Sequence, residues 1–169
     1  MKSRRDKVEA LADKKETSTY AGEYLTFVSS NEEYGIEILK VREIIGVMDI
    51  TTVPQTPDYM KGVINLRGKV IPVIDLRLKF SMQEEKYAQE TCVIVVEVNN
   101  THIGIIVDSV SEVVDISSSE IEETPPFGQG IDTSFMTGMG KVKEKIIILL
   151  NIEIVLSPEE LELVKHIRE

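Results

Sequence analysis

The 169-residue sequence has no tryptophan, a single cysteine and no long apolar run. Its longest uninterrupted apolar runs, residues 92–96 and 146–150, have five residues each, whereas a membrane-spanning helix needs about 20. No apolar stretch follows the basic start of the chain, so a secretory signal is not expected. One cysteine excludes an internal disulfide and a zinc site built from several cysteines. The sequence therefore predicts neither a membrane-inserted protein nor one held together by disulfides.

Positive charge is also scarce. Acidic residues outnumber basic ones by 29 to 19, which gives a net charge of −10 with histidine neutral. A general nucleic-acid binder or a protein that binds anionic membranes would carry the opposite excess. The apolar fraction of 42%, together with ten glycines, is typical of a folded globular chain. We therefore expect a folded protein that binds neither nucleic acid nor a membrane surface.

The sequence shows no local motif for catalysis or for a cofactor. Cys92 lies in an apolar run, where a buried and inert thiol is expected. Residues 128–130 lack the third glycine of a dinucleotide-binding loop, and no strand is predicted before them. Acidic pairs such as residues 32–33 lie in polar loops, which indicates solvated surface rather than a catalytic carboxylate pair. We expect no enzymatic activity, no cofactor and no metal.

The chain divides into a charged start and a strand-rich remainder. Residues 1–22 are highly charged and have almost no large apolar side chains, which predicts a flexible tail. Beyond them, short runs rich in Val, Ile, Tyr and Phe are bounded by turn residues, which is typical of strands. Asn99–Asn100 and Arg67–Gly68 each separate two such runs, so both predict tight hairpin turns. The pattern favours an all-β protein.

An internal repeat organises the strand-rich part. Residues 35–45 align without gaps on residues 104–114, and residues 62–75 run parallel to residues 138–151. A copy of about 60–70 residues is marginal alone, so we expect the two copies to pack together and to leave a groove between them. Five short strands per copy favour a small closed or nearly closed barrel, because closure removes exposed sheet edges.

The repeat also suggests where the two barrels lie along the chain. We place the first at about residues 23–85 and the second at about residues 91–156, and we allow for boundaries that are intertwined. The Ser-Pro-Glu-Glu sequence that follows is a helix start signal. A short C-terminal helix is therefore predicted over residues 158–167.

One stretch of this acidic chain is basic. Residues 61–79 contain five basic residues and one acidic residue, a local charge of +4. Such a strip can guide docking onto an acidic face of a partner, although a solvated surface of strands and turns has the same pattern. Arg67 lies at the tip of a predicted hairpin, where an exposed guanidinium can make paired bonds to a partner's carboxylate or carbonyl groups.

Several segments resemble the family of the bacterial chemotaxis coupling protein CheW. Residues 33–44 and 62–77 are similar to that family, and the sequence Gly-Val-Ile-Asn-Leu-Arg-Gly at the start of the second segment is specific for it and for the regulatory domain of the chemotaxis histidine kinase. The resemblance continues through residues 104–110 and 149–152 and covers about residues 23–165. The kinase itself is not expected, because 169 residues leave no room for an ATP-binding domain.

The resemblance implies a fold and a function. It implies two SH3-like five-stranded barrels, in agreement with the repeat. It also implies a non-catalytic cytoplasmic adaptor that links the histidine kinase CheA to the cytoplasmic tips of methyl-accepting chemotaxis receptors, and that reaches the membrane array through these partners. The alternative is a small-barrel module that binds a peptide or ligand outside chemotaxis.

Two binding surfaces follow from the resemblance. A helical hairpin of the receptor would dock in the apolar groove between the barrels, and the kinase would contact barrel ends. The receptor-binding residues are expected to be Val41, Glu43, Gly62, Arg67, Val93 and Val113. The kinase-binding residues are expected to be Gly46, Val47 and Gly68. The alternatives are ordinary barrel core for Val41 and Val113, a solvent-facing strand position for Glu43, and a backbone requirement for Gly62.

Overall fold

The structure, a computed structural model, describes residues 21–83, 86–124 and 134–162. These residues form two sheets with a few short helices, which confirms the predicted all-β class. The strands are, in chain order, β1 (Gly22–Ser29), β2 (Glu32–Glu37), β3 (Val41–Gly46), β4 (Met60–Leu66), β5 (Lys69–Asp75), β6 (Cys92–Val98), β7 (Thr101–Val107), β8 (Ser109–Ile116), β9 (Ile121–Glu122), β10 (Met136–Val142) and β11 (Lys145–Leu150). The helices are α1 (Leu76–Lys79), α2 (Ile152–Val155) and α3 at 158–162, and 3₁₀ turns lie at Ile38–Lys40 and Ser118–Glu120.

Two predicted elements lie partly outside the described residues. The tail predicted over residues 1–22 is described only at its last two positions, and the helix predicted over 158–167 is described as far as 162. The start of α3 has the expected capping box. The Ser157 hydroxyl accepts the N–H of Glu160 at 3.1 Å, and the Glu160 carboxylate accepts the N–H of Ser157 at 2.9 Å.

The two sheets interlock along the chain. The strand order is β8-β1-β2-β11-β10-β9 in the six-stranded sheet and β3-β6-β7-β5-β4 in the five-stranded sheet. Each sheet thus combines the first hairpin of one repeat with the later strands of the other. Only Ile38–Lys40 separate β2 from β3, and only Asp108 separates β7 from β8. Because connections this short leave no length in which to turn back, the chain runs straight on into the other barrel.

The repeat is visible where parallel strands meet. Gly35 of β2 lies beside Leu149 of β11, and Gly104 of β7 lies beside Val73 of β5 in the same parallel arrangement. The sixth strand of the larger sheet is the short β9, which pairs with β10. A single bridge from Thr51 to β4 takes the equivalent place in the smaller sheet, so the two barrels are built alike.

The described residues form three apolar clusters, one inside each barrel and a larger one between the barrels. The central strands serve two clusters at once, because successive side chains point to opposite faces. In β6, Val93 and Val95 point into the five-stranded barrel, whereas Ile94 and Val96 pack between the barrels. Because both faces of these central strands are buried, their sequences are continuous apolar runs and do not alternate between apolar and polar residues.

Within the ranges that the structure describes, four hairpins close with two-residue turns in which both residues have positive φ. Two of them, Asn99–Asn100 and Arg67–Gly68, confirm the turns predicted from the sequence. The same geometry occurs at Ser30–Asn31 and at Lys143–Glu144. Turns of this kind match the right-handed twist of the flanking strands. They also leave the side chains of Arg67 and Lys143 exposed at equivalent corners of the two barrels.

Candidate binding surfaces

Two residues predicted for the receptor surface, Glu43 and Arg67, form an ion pair. Glu43 lies in β3, at one edge of the five-stranded sheet, and Arg67 lies in the turn beside β4, the strand at the other edge. The Nη1 and Nη2 groups of Arg67 donate to the two carboxylate oxygens of Glu43 at 2.9 and 2.5 Å. This hydrogen bonding lowers the pKa of the Glu43 carboxyl and raises the pKa of the Arg67 guanidinium. The pair therefore bridges the two edges of the sheet with a bidentate contact.

The ion pair is accessible at the mouth of the barrel. The Arg67 side chain is 70% exposed and the Glu43 side chain is 31% exposed. Beneath the pair lies a cavity of about 220 Å³ with an apolar floor and a mostly basic rim. The cavity is lined by Leu66, Ile71 and Val95 at the floor and by Arg42, Lys69 and His102 at the rim. Arg42 and His102 both lie against Glu97, at 2.5 and 3.5 Å, so Lys69 is the rim cation best placed to meet an acidic group of a partner.

Gly62 and Val93, also predicted for the receptor surface, are buried. Gly62 in β4 has a φ of 143°, and a Cβ there would collide with the carbonyl oxygen of Thr51. A backbone requirement therefore explains this glycine. Val93 is 0% exposed and belongs to the core of the five-stranded barrel. Both residues shape the barrel from within, and neither presents a side chain to the solvent.

The two remaining valines lie in different surroundings. Val41 at the start of β3 is partly buried and packs against the cluster between the barrels. Val113 is 49% exposed on β8, an edge strand of the six-stranded sheet. Of the six predicted receptor residues, Glu43 and Arg67 are thus brought into contact, and Val113 is exposed on the other barrel.

The residues predicted for the kinase surface are exposed and lie next to the same strand and turn. Gly46 and Val47 are at the end of β3, and Gly68 follows Arg67 in its turn. Two further exposed apolar side chains lie close to Gly46 and Val47 in the sequence: Ile44 is 44% exposed and Met48 is 38% exposed. The sequence analysis missed them. The period-2 exposure of β3 is the signal that could have identified Ile44.

The basic stretch 61–79 is not one continuous surface. Arg67 is exposed, but Arg77 is only 2% exposed and is enclosed by carboxylates. Lys79 is paired with Glu160 at 2.8 Å. The exposed bases of the stretch, Arg67 and Lys69, lie near the barrel mouth.

Among the described residues, no group of three or more His, Cys, Asp or Glu side chains could hold a metal ion. No helix in the same part of the chain is long and apolar enough to span a membrane. Cys92 is buried, as predicted, and burial raises the pKa of its thiol, which disfavours the reactive thiolate.

Comparison with known proteins identifies relatives along most of the chain. The family model described as the CheW-like domain matches residues 23–160. The chain is 43% identical to the chemotaxis protein CheW of Klebsiella aerogenes, over 94% of this chain and 95% of that protein. It is 34% identical to the chemotaxis protein CheW of Helicobacter pylori, over 92% and 93%. The crystal structure of the scaffolding protein TtCheW from Thermoanaerobacter tengcongensis is 36% identical, with a TM-score of 0.74, over 81% of this chain and 93% of that one.

The fold and these relatives define a class, the non-catalytic scaffold proteins of chemotaxis that are built from two β barrels. The chain belongs to the CheW-like family. The resemblance stated from the sequence motifs is thereby confirmed. The expectation that the chain is not an enzyme is confirmed as well, because the family consists of scaffold proteins.

Proposed function

We propose that this chain couples the histidine kinase CheA to the cytoplasmic tips of methyl-accepting chemotaxis receptors, and that it works in the cytoplasm at receptor arrays. Membership of the CheW-like family supports a scaffold role. The observation that carries the proposed coupling of kinase and receptors is the Glu43–Arg67 ion pair. These residues are 24 positions apart, both belong to the motifs that imply the receptor site, and they touch on an exposed surface.

The receptor surface would combine an anchored charge with apolar contacts. The Glu43 carboxylate holds the Arg67 guanidinium in place, which lowers the entropy lost when a partner binds it. Apolar positions of a receptor helix would pack against Val41 and Val113. The buried Gly62 and Val93 would support this surface by keeping β4 and β6 in position.

The kinase surface would lie at the barrel end formed by Gly46, Val47 and Gly68. Glycines at this end let a partner's backbone approach closely. The exposed Ile44 and Met48 enlarge the apolar area available for contact. Because Gly68 follows Arg67 directly, the two surfaces would meet at one turn, which is suitable for a protein that must hold both partners together.

A binding experiment with both partners tests this function. The purified chain is mixed with CheA and with a receptor cytoplasmic fragment, separately and then together, and the complexes are separated by size. We expect binary complexes with each partner and a ternary complex that contains both. Binding to only one partner would contradict coupling, and binding to neither would favour a module that acts outside chemotaxis.

A further inference from the structure

The chain crosses between the barrels twice, and an ion pair holds each crossing. Arg77, the second residue of α1, pairs at 3.4 Å with Asp108, the residue directly before β8. Glu153, the second residue of α2, pairs at 2.5 Å with Lys40, the residue directly before β3. We call the Arg77–Asp108 pair the clamp and the Lys40–Glu153 pair the latch. Arg77 and Glu153 take equivalent places in the internal repeat, with opposite charge, whereas their partners Asp108 and Lys40 lie one position apart in the alignment.

In the clamp Arg77 is buried and Asp108 is half-buried, and both have further bonds. The side chains of Arg77 and Asp108 are 3% and 28% exposed. Arg77 also donates to Asp75 from Nε and Nη2, both at 3.3 Å. Asp108 accepts the N–H of Ser30 at 2.9 Å and donates its own N–H to the carbonyl of Val28 at 2.9 Å. Asp75 ends a strand of one barrel, and Ser30 and Val28 belong to the other, so the clamp ties both barrels.

The latch is exposed and simpler. The side chains of Lys40 and Glu153 are 35% and 47% exposed, and the bond between them runs from Nζ to Oε1. Ion pairs in such surroundings are screened by salt and hold weakly. Glu153 and its neighbour Ile154 also line a cavity of about 880 Å³. This flank of α2 therefore borders open space rather than packed side chains.

We propose that the junction between the barrels is a one-sided hinge, in which the clamp stays closed and the latch opens. A pair with a buried arginine and several bonds resists screening by salt better than an exposed pair with one bond does. Opening the latch frees the Lys40 end of the 3₁₀ turn Ile38–Lys40 from α2, while Ile38 stays packed against the cluster between the barrels. This turn leads directly into β3, which carries Val41 and Glu43. The effect of the hinge on the receptor surface rests on the proposed function, but the hinge itself does not.

Hydrogen–deuterium exchange of the purified full-length chain tests the hinge without any partner. Lys40→Gln removes the charge of the latch. Lys141→Gln is the matched control, because Lys141 forms an exposed ion pair with Glu122 at 2.6 Å within one barrel. Denaturant unfolding of both variants, measured in parallel, reports any change in global stability.

The expected result is one-sided. The N–H groups of Ile154 and Val155, which bond to the carbonyl of Asn151, should exchange about two- to fivefold faster in Lys40→Gln, as for the loss of an exposed ion pair. The N–H groups of Ser30 and Asp108 at the clamp should keep their wild-type rates. Wild-type protein in 1 M salt, where the screening length is about 3 Å, should show the same one-sided increase.

Three outcomes would overturn the hinge. Equal acceleration at the clamp and at α2 would mean that the whole junction loosens. Unchanged exchange at α2 in Lys40→Gln would mean that the latch holds nothing. Acceleration at α2 in Lys141→Gln would indicate a general effect of lost charge. Since no partner takes part, the hinge can fail while the adaptor function stands, and the reverse is also true.

Discussion

Gly35 and Gly104 occupy equivalent positions at the two places where parallel strands pair, which we call the seams. Each lies in the second strand of a hairpin, beside a parallel strand from the other repeat. The seams differ in the space that they leave. A Cβ at Gly104 would lie 2.6 Å from Cγ1 of Val73 and 2.7 Å from Cγ1 of Val93, whereas a Cβ at Gly35 would find its nearest side-chain atoms at 3.2 Å.

Alanine at these two glycines should therefore destabilise the fold unequally. Gly104→Ala should lower the free energy of unfolding by about 1–3 kcal/mol through overpacking, because Val73 and Val93 are buried and stiff at χ1. Gly35→Ala should cost less than about 1 kcal/mol, since its neighbours need to move only slightly and alanine restricts the unfolded chain. Urea denaturation measures both values. Equal losses would show that the seams are equally tight.

The sequence predicts the repeat better than it predicts the interlocking of the barrels. Alignment of Gly35 on Gly104 reveals two equivalent copies, because at both positions a Cβ would press against side chains of the neighbouring strands, more closely at Gly104. The exchange of hairpins depends on the length of the connections at Ile38–Lys40 and Asp108. Strand ends are poorly marked when one strand runs almost directly into the next, so the local pattern does not reveal which barrel receives it.

The candidate site was predictable where turn chemistry sets the exposure of a residue. Arg67 lies at an exposed turn because its hairpin needs positive φ at both turn residues. The burial of Val93 was not predictable, since β6 is buried on both faces and a period of two cannot separate inside from outside. The burial of Arg77 was not predictable either, because its partner Asp108 is far from it in the sequence and is brought close only by the fold.

Truncation of two predicted receptor residues should separate folding from binding. Val93→Ala should lower the free energy of unfolding by about 2 kcal/mol, since it leaves a void in the core of the five-stranded barrel. Val113→Ala should stay within about 0.5 kcal/mol of wild type, because this side chain is half exposed. Receptor binding should weaken in Val113→Ala even so. Thermal melts and a binding titration on the same samples check both statements. If Val113→Ala bound the receptor as strongly as wild type does, Val113 would not belong to the receptor surface.

Arg77 should be among the most sensitive charged positions. Burial alone would lower the pKa of its guanidinium, but bonding to Asp75 and the charges of Asp75 and Asp108 raise it. Arg77→Leu leaves the fully buried Asp75 without this partner, and we expect a loss of about 3–5 kcal/mol. Arg42→Leu, which breaks an exposed pair with Glu97, should leave the unfolding midpoint unchanged.

A double variant distinguishes lost charge from lost packing at this position. Asp75→Asn combined with Arg77→Leu removes the stranded charge and should recover part of the stability in urea denaturation. If the double variant were as unstable as Arg77→Leu alone, packing of the arginine side chain would explain the loss. A single Arg77→Leu as stable as wild type would contradict the buried charge network.

Glu160 should make the stability of the fold depend on acidic pH. Lys79 donates to both of its carboxylate oxygens, at 2.9 and 2.8 Å, and the Tyr59 hydroxyl donates to one of them. Burial alone would raise the pKa of this carboxyl, but the hydrogen bonds from Lys79, Tyr59 and the N–H of Ser157 lower it from 4.5 to about 2. The ionised form is therefore favoured by folding.

The sign of the pH effect follows from this lowered pKa. Stabilisation by the Glu160 carboxylate is present above pH 4.5 and is lost as the pH falls towards 2. The shift corresponds to about 3 kcal/mol at most. Glu160→Gln should therefore be less stable than wild type at pH 7, and the difference should shrink between pH 4.5 and 2. Urea denaturation across this range measures it, and a difference that is the same at pH 7 and pH 3 would contradict the assignment.

Arg67→Ala should separate receptor binding from folding. The side chain is 70% exposed and its ion pair with Glu43 lies at the barrel mouth, so the unfolding midpoint should match wild type. Receptor binding should weaken about thirtyfold, as is common when a well-packed interface arginine is truncated. Kinase binding should fall less, although Gly68 lies in the same turn.

The internal repeat supplies the matched control for this prediction. Lys143 has the same place in the corresponding turn of the other barrel, with a φ of 50° against 51° for Arg67. Glu112 is the residue that aligns with Glu43 in the repeat. In the described part of the chain, Lys143 and Glu112 form no ion pair. Lys143→Ala therefore removes an exposed cation from the same backbone geometry without touching the Glu43 contact. It should bind the receptor fragment as wild type does. If both variants weakened binding equally, general charge would explain the effect. If Arg67→Ala bound both partners at wild-type strength, the ion pair at the barrel mouth would not belong to the receptor surface.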